Sequence, residues 1–144
     1  MDIGINNIAM YTPNYYLSMQ DFAKVKNLDY NKFLAMGQHQ MSICPPDEDV
    51  VTMASNAASR AIKDIDTKSI GLVLFATESS VDQAKSAGLF LHKLLKLPSS
   101  CRVIELKQSC YAATGGLQLD LSYIKAHPQQ KVLLIAADVA RYDL

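Results

Sequence analysis

Gly71-Leu72-Val73-Leu74-Phe75-Ala76 is a run free of polar side chains, followed at once by Thr77-Glu78-Ser79-Ser80. A short continuous run without alternation is the signature of a strand buried on both faces, as in a parallel sheet covered by helices. Downstream, Ala84, Ala87, Leu91 and Leu94 recur at helical spacing between Pro98 and a Ser80/Gln83 pair spaced as a capping box. Arg102-Val103-Ile104-Glu105-Leu106 reads as a second strand. A helix over residues 110–126 follows, closed by His127-Pro128, and Lys131-Val132-Leu133-Leu134-Ile135-Ala136-Ala137 is the last strand. Strand, helix, strand, helix, strand means crossover units around a buried parallel sheet, so the fold class is α/β.

Upstream, residues 3–11 alternate loosely up to Thr12-Pro13 and read as a strand. Two short helices follow: Ser18 with Asp21 starts the first, Asp29 caps the second, and Gly37 ends it. Residues 38–46 read as a loop, punctuated by Pro45-Pro46. Asp47 or Asp49 then opens a longer helix carrying Val50, Met53, Ala54, Ala57, Ala58, Ala61 and Ile62. The sequence stops at Leu144 just past a strand, without an element to cover it. The expectation is therefore one half-domain over residues 1–144, part of a larger doubly wound body.

With 144 residues the length fits one domain of ~150. Apolar residues make up 49% and charged ones 19%, enough to bury a core. Fourteen basic residues balance fourteen acidic ones, which argues against a nucleic-acid or membrane-surface partner. No apolar run approaches the ~20 residues of a membrane span, and the first residues lack a signal-peptide pattern. Cys44, Cys101 and Cys110 are too few and too irregular for a disulfide framework or a metal cluster, so a reducing compartment, the cytoplasm, is expected.

In parallel α/β sheets the chemistry lies beyond the carboxyl ends of the strands. That rule selects Thr77, Glu78 and Ser79 after one strand, Lys107 to Cys110 after the next, and Asp138 and Arg141 after the last. Cys110 also stands where a helix begins, and unpaired amides there favour a thiolate nucleophile. Ala112, Ala113, Gly115 and Gly116 follow it. Two glycines in a helix cost about 1 kcal/mol each, a cost that makes sense where another backbone packs close. A cysteine in an apolar stretch is more often a small core residue, and Cys44 and Cys101 are read that way. His39, His92 and His127 carry no ligand or catalytic spacing. A thiol and a carboxylate sharing one sheet edge is what raises Cys110 and Glu78 above that background.

At Ala76-Thr77-Glu78-Ser79-Ser80-Val81-Asp82-Gln83-Ala84-Lys85 and at Glu105-Leu106-Lys107-Gln108-Ser109-Cys110-Tyr111-Ala112-Ala113-Thr114 the sequence resembles the bacterial-type hydroxymethylglutaryl-CoA synthases. The likeness extends to Tyr11-Thr12-Pro13-Asn14, to Leu28-Asp29-Tyr30-Asn31-Lys32-Phe33 and to Ala137-Asp138-Val139-Ala140-Arg141-Tyr142. The resemblance implies a thiolase-like fold of two similar halves, of which this is the first. It implies a homodimer acting on acyl-CoA substrates without a cofactor or metal: acetyl-CoA and acetoacetyl-CoA, in mevalonate synthesis. Cys110 would carry the acetyl group, Glu78 would be the general acid/base, and Asp29, Tyr30 and Lys32 would contact the acyl-CoA. The family's third catalytic residue, a histidine, belongs to the second half, so the 144-residue chain alone is expected to be inactive. Ser109 stands where the family often has alanine and is expected to tune the nucleophile's surroundings. Two other readings remain: a related synthase that takes its acyl group from a carrier protein in polyketide β-branching, and a non-catalytic half-domain.

Overall fold

A computed structural model describes residues 3–139. In chain order the elements are β1 (Tyr15–Ser18), α1 (Met19–Lys26), α2 (Tyr30–Ala35), β2 (Gln40–Ile43), α3 (Val50–Ala61), β3 (Ile70–Ala76), α4 (Ala87–Leu94), β4 (Arg102–Leu106), α5 (Ala112–Ala126) and β5 (Lys131–Ala136). They form two compact units, Thr12–Asp47 and the remainder.

The larger unit is built on β3, all seven of whose residues are buried. The sheet order is β4-β3-β5 and both pairings are parallel. The chain therefore crosses from β3 to β4 in one direction and from β4 past β3 to β5 in the other. Right-handed crossovers then require α4 and α5 to lie on opposite faces. The packing agrees. Val73 and Phe75 join Leu133 and Ile135 in one core with Val50, Val51, Ala54 and Ala58 of α3 and Ala87 and Leu91 of α4. α5 covers the other face, and its Gly116 comes so close that a β-carbon there would meet Leu134 at 2.7 Å and Leu106 at 3.2 Å. The close neighbours are these side chains rather than a backbone, and Gly115 faces the ring of Tyr111, the residue just before the helix. A bulge between Ile70 and Leu72 shifts the register at the start of β3.

Helices α1 to α4 each start behind a side-chain cap, whereas α5 does not. Asp49 caps α3 in a reciprocal capping box with Thr52, whose N–H donates to Asp49 Oδ1 at 2.7 Å. α4 begins at Ala87 behind Ser86, not at the Ser80/Gln83 pair. The Ser80 hydroxyl is engaged by Glu105, and Asp82 accepts from the N–H groups of Ala84 and Lys85, so residues 77–86 form a loop. Residues 3–11 are not a strand. Their Ile5, Ile8 and Met10 are exposed, and a groove of about 770 Å³ lies between residues 3–9 and α3, α5 and β5. Without a ladder partner, alternation in the sequence does not make a strand.

In the smaller unit, β1 pairs antiparallel with β2, from Tyr15 opposite Ile43 to Ser18 opposite Gln40. Ser18 and Asp29 cap α1 and α2 as expected, and Gly37 follows α2 with φ +69°. The expected loop at residues 38–46 contains β2, whose polar/apolar alternation lasts only four, mostly exposed residues, too short to stand out beside Pro45-Pro46. Among the described residues no helix is long and apolar enough to cross a membrane.

Candidate active site

In the larger unit the register puts Ala76 opposite both Leu106 and Ala136, so all three strands end in one row. The ladder runs one residue further, with Thr77 N–H donating to Leu106 O and Ala137 N–H to Ala76 O, each at 3.1 Å. Whatever follows these ends shares one rim, which is where the sequence placed Glu78, Cys110 and Asp138. Cys110 Sγ lies 3.8 Å from Glu78 Oε1. The thiol and the carboxylate are therefore close enough for one small acyl group to touch both.

Cys110 precedes α5 rather than opening it: Tyr111 is the N-cap residue and Ala112 the first helical one. Ser109 has φ +45°, in the left-handed region that a β-carbon disfavours by about 1–2 kcal/mol. That turn redirects the chain from β4 into α5 and leaves the Cys110 side chain exposed. Tyr111 N–H donates to Gln108 O and Ala112 N–H to Ser109 O, both at 3.1 Å. The first two amides after the cysteine are thus committed to the turn and are not spare donors for a thioester oxygen. Glu78 is exposed as well, so the described residues alone do not exclude water from the pair.

The loop that carries Glu78 is held by Asp138. Its Oδ1 accepts from Thr77 Oγ1 (2.9 Å), Glu78 N–H (2.7 Å), Ser79 N–H (3.0 Å) and Ser79 Oγ (2.8 Å), while Val139 N–H donates to Ser79 Oγ at 2.8 Å. Sequence placed Asp138 on this rim without a task. An acidic residue directly after a buried strand was the available signal. Arg141 lies outside the described residues.

The remaining candidates separate cleanly. Asp29, Tyr30 and Lys32 stand together at the start of α2 in the smaller unit, with Asp29 Oδ1 accepting from Asn31 N–H at 3.0 Å and Lys32 exposed. Cys101 is buried, which pushes its thiol above the ordinary range, and it joins the core. His92 Nε2 pairs with Pro98 O and His127 Nδ1 with Tyr123 O, each at 3.0 Å, so both rings hold local structure. Among the described residues no group of three His, Cys, Asp or Glu side chains converges as a metal ion would require.

Comparison with known proteins places this rim in context. The family profile described as "Hydroxymethylglutaryl-coenzyme A synthase N terminal" matches residues 1–144. The chain is 42% identical to the hydroxymethylglutaryl-CoA synthase of Enterococcus faecalis, over all of this chain and 38% of that protein. It is 32% identical to the polyketide biosynthesis 3-hydroxy-3-methylglutaryl-ACP synthase PksG of Bacillus subtilis, over 96% of this chain and 34% of that protein. A crystal structure of an HMG-CoA synthase complexed with CoA superposes with a TM-score of 0.94 at 36% identity, covering 100% of this chain and 37% of the other. The expected α/β, thiolase-like architecture holds at that level of likeness. The chain spans little more than a third of the length of these relatives. It belongs to the hydroxymethylglutaryl-CoA synthase family, matching the family's N-terminal portion along residues 1–144.

Proposed function

We propose that the protein carrying this chain is an acyltransferase that condenses acetyl-CoA with acetoacetyl-CoA and water to give 3-hydroxy-3-methylglutaryl-CoA. The observation that carries this reading is the 3.8 Å approach of Cys110 Sγ to Glu78 Oε1 on the carboxyl rim of a parallel sheet. The Cys110 thiol gives up its proton and attacks the thioester carbonyl of acetyl-CoA, and the departing CoA sulfur takes up that proton and leaves as a thiol. Glu78 removes a proton from the methyl group of the acetyl-cysteine, which the thioester has acidified. The resulting carbanion attacks the ketone of acetoacetyl-CoA, and the protonated Glu78 returns its proton to the new alkoxide. Water then cleaves the thioester to Cys110, freeing the product and the thiol.

Asp29, Tyr30 and Lys32 are proposed to contact the acyl-CoA, Lys32 as an exposed cation for its phosphates. No dissociable cofactor or metal takes part in this scheme. The greater length of the relatives supports a second half that supplies further catalytic groups, and the complete protein is proposed to act as a homodimer. We therefore expect no turnover from the 144-residue chain alone, and place the reaction in the cytoplasm as a step towards mevalonate.

The test uses the full-length gene product. Incubation with acetyl-CoA should leave one acetyl group on the Cys110 peptide, read by mass spectrometry, and adding acetoacetyl-CoA should release the six-carbon product. Cys110→Ser should abolish the acetyl-enzyme, because an alcohol is a far weaker nucleophile towards a thioester than a thiol. Glu78→Ala should keep acetylation and stop condensation. Absence of acetyl on Cys110 from acetyl-CoA would overturn the reading. Loading from an acetylated carrier protein alone would instead assign the chain to the group of the carrier-protein relative.

A further inference from the structure

Glu105 lies in the middle of β4, opposite Phe75 of β3, and is the one charged residue inside the apolar run Val103–Leu106. A carboxylate on a covered sheet face needs partners, and Glu105 has two. Its Oε2 accepts from the Ser80 hydroxyl at 3.0 Å and from Ala87 N–H at 2.7 Å. Ala87 is fully buried and is the first residue of α4, so its N–H has no partner inside the helix and depends on this carboxylate.

These contacts join the two segments that carry the reacting groups. Ser80 is two residues beyond Glu78, and Cys110 is five residues beyond Glu105. The intervening segment, residues 77–86, is longer than the two to six residues typical of a strand-to-helix connection, and long loops move unless they are tied down. Asp138 ties only Thr77 to Ser79, from the β5 side. Glu105 ties Ser80 and Ala87 from the β4 side. The start of α4 has a separate seat, because Gly88 presses so closely on Val103 and Phe75 that a β-carbon there would meet them at 2.7 and 3.2 Å. Removing the Glu105 carboxylate should therefore loosen the loop and not the helix.

We propose that Glu105 is a positioning residue that holds Glu78 at its working distance from Cys110 by pinning the Ser80–Ala87 stretch to the strand leading into the cysteine. The proposal deepens the catalytic reading of Glu78 and rests on it. In the full-length gene product, Glu105→Ala should leave acetyl loading of Cys110 unchanged. It should slow single-turnover condensation of the preloaded enzyme with acetoacetyl-CoA by roughly 10- to 100-fold, the scale expected for a misplaced catalytic group. Glu105→Gln should recover most of that rate, since an amide oxygen still accepts both hydrogen bonds, though more weakly than a carboxylate.

A second measurement does not depend on turnover. Alkylation of Cys110 by iodoacetamide senses the charge beside the sulfur. Glu105→Ala should change its rate in the otherwise native protein and leave it unchanged in a Glu78→Ala background. Loading and condensation falling together with the melting temperature would show a merely structural role and overturn the proposal. So would condensation within about twofold of the native rate, equal losses in the Ala and Gln variants, or an alkylation change of the same size in both backgrounds. If the native protein neither loads nor condenses, the catalytic reading fails, and the alkylation cycle still decides whether Glu105 positions Glu78.

Discussion

Asp138 shows how much of this site rests on one oxygen atom. Its Oδ1 gathers four donors from Thr77, Glu78 and Ser79, two of them backbone N–H groups, of which Ser79 N–H also reaches Thr77 Oγ1 at 3.1 Å. Hydrogen bonds to an ionised acceptor contribute about 1.5–3 kcal/mol each at most, and these share an exposed acceptor, so the set contributes less than its sum. Asp138→Ala should lower stability by about 1–3 kcal/mol and turnover by ~100-fold, because Glu78 loses the anchor of its own amide. Asp138→Asn keeps one acceptor oxygen and should fall between. Thermal midpoints and kcat of the full-length variants check this, and an Ala variant of native activity would contradict it. The positive φ of Ser109 belongs to the same scale. The sequence showed a serine ahead of the cysteine, but only the backbone shows that the residue makes the turn that projects Cys110.

Helix α5 shows what an element reveals in sequence and what it hides. Its apolar residues fall on more than one side, and the structure packs one side on the sheet while Leu117, Leu119 and Leu121 remain exposed. Asp120 breaks the pattern. It is buried beside the groove along residues 3–9, its Oδ1 has no hydrogen-bond partner among the described residues, and burial raises its carboxyl to about 6. A folded-state value above the unfolded one means that the native chain holds the proton more tightly. Stability is then greatest below about pH 4, declines as pH rises through 6, and carries the whole penalty above that. The penalty is at most ~3 kcal/mol at neutral pH. Asp120→Leu should therefore stabilise the 144-residue chain at about pH 8 and change little at about pH 4, read from urea midpoints. Equal effects at both values would mean that the carboxyl is not neutralised by burial. The misread start of α4 has a similar origin. Ser80 has the residue type and spacing of a cap, but Glu105 engages its hydroxyl across the sheet, and that competition leaves no trace in the local sequence.

At the scale of the whole molecule, the approach of Cys110 to Glu78 was legible because parallel strands must all end on one rim and sequence shows where they end. Residues 3–11 were misread for the complementary reason: strand identity depends on a neighbouring edge, which no local pattern reports. The same logic applies to the surface of α5. Tyr111, Leu117, Leu119 and Leu121 are between 44% and 52% exposed. A soluble monomer rarely presents so many large apolar side chains along one helix, and such a surface drives association. The 144-residue chain studied alone should self-associate and bind a hydrophobic dye. Replacing Leu117 and Leu121 by lysine should reduce both effects without unfolding the sheet, since neither residue belongs to the buried core. Light scattering and dye fluorescence, with circular dichroism as the folding control, measure this. A native chain that stays monomeric and dye-free at high concentration would show that these leucines are tolerated in water, and the case for a face meant to be covered would be lost.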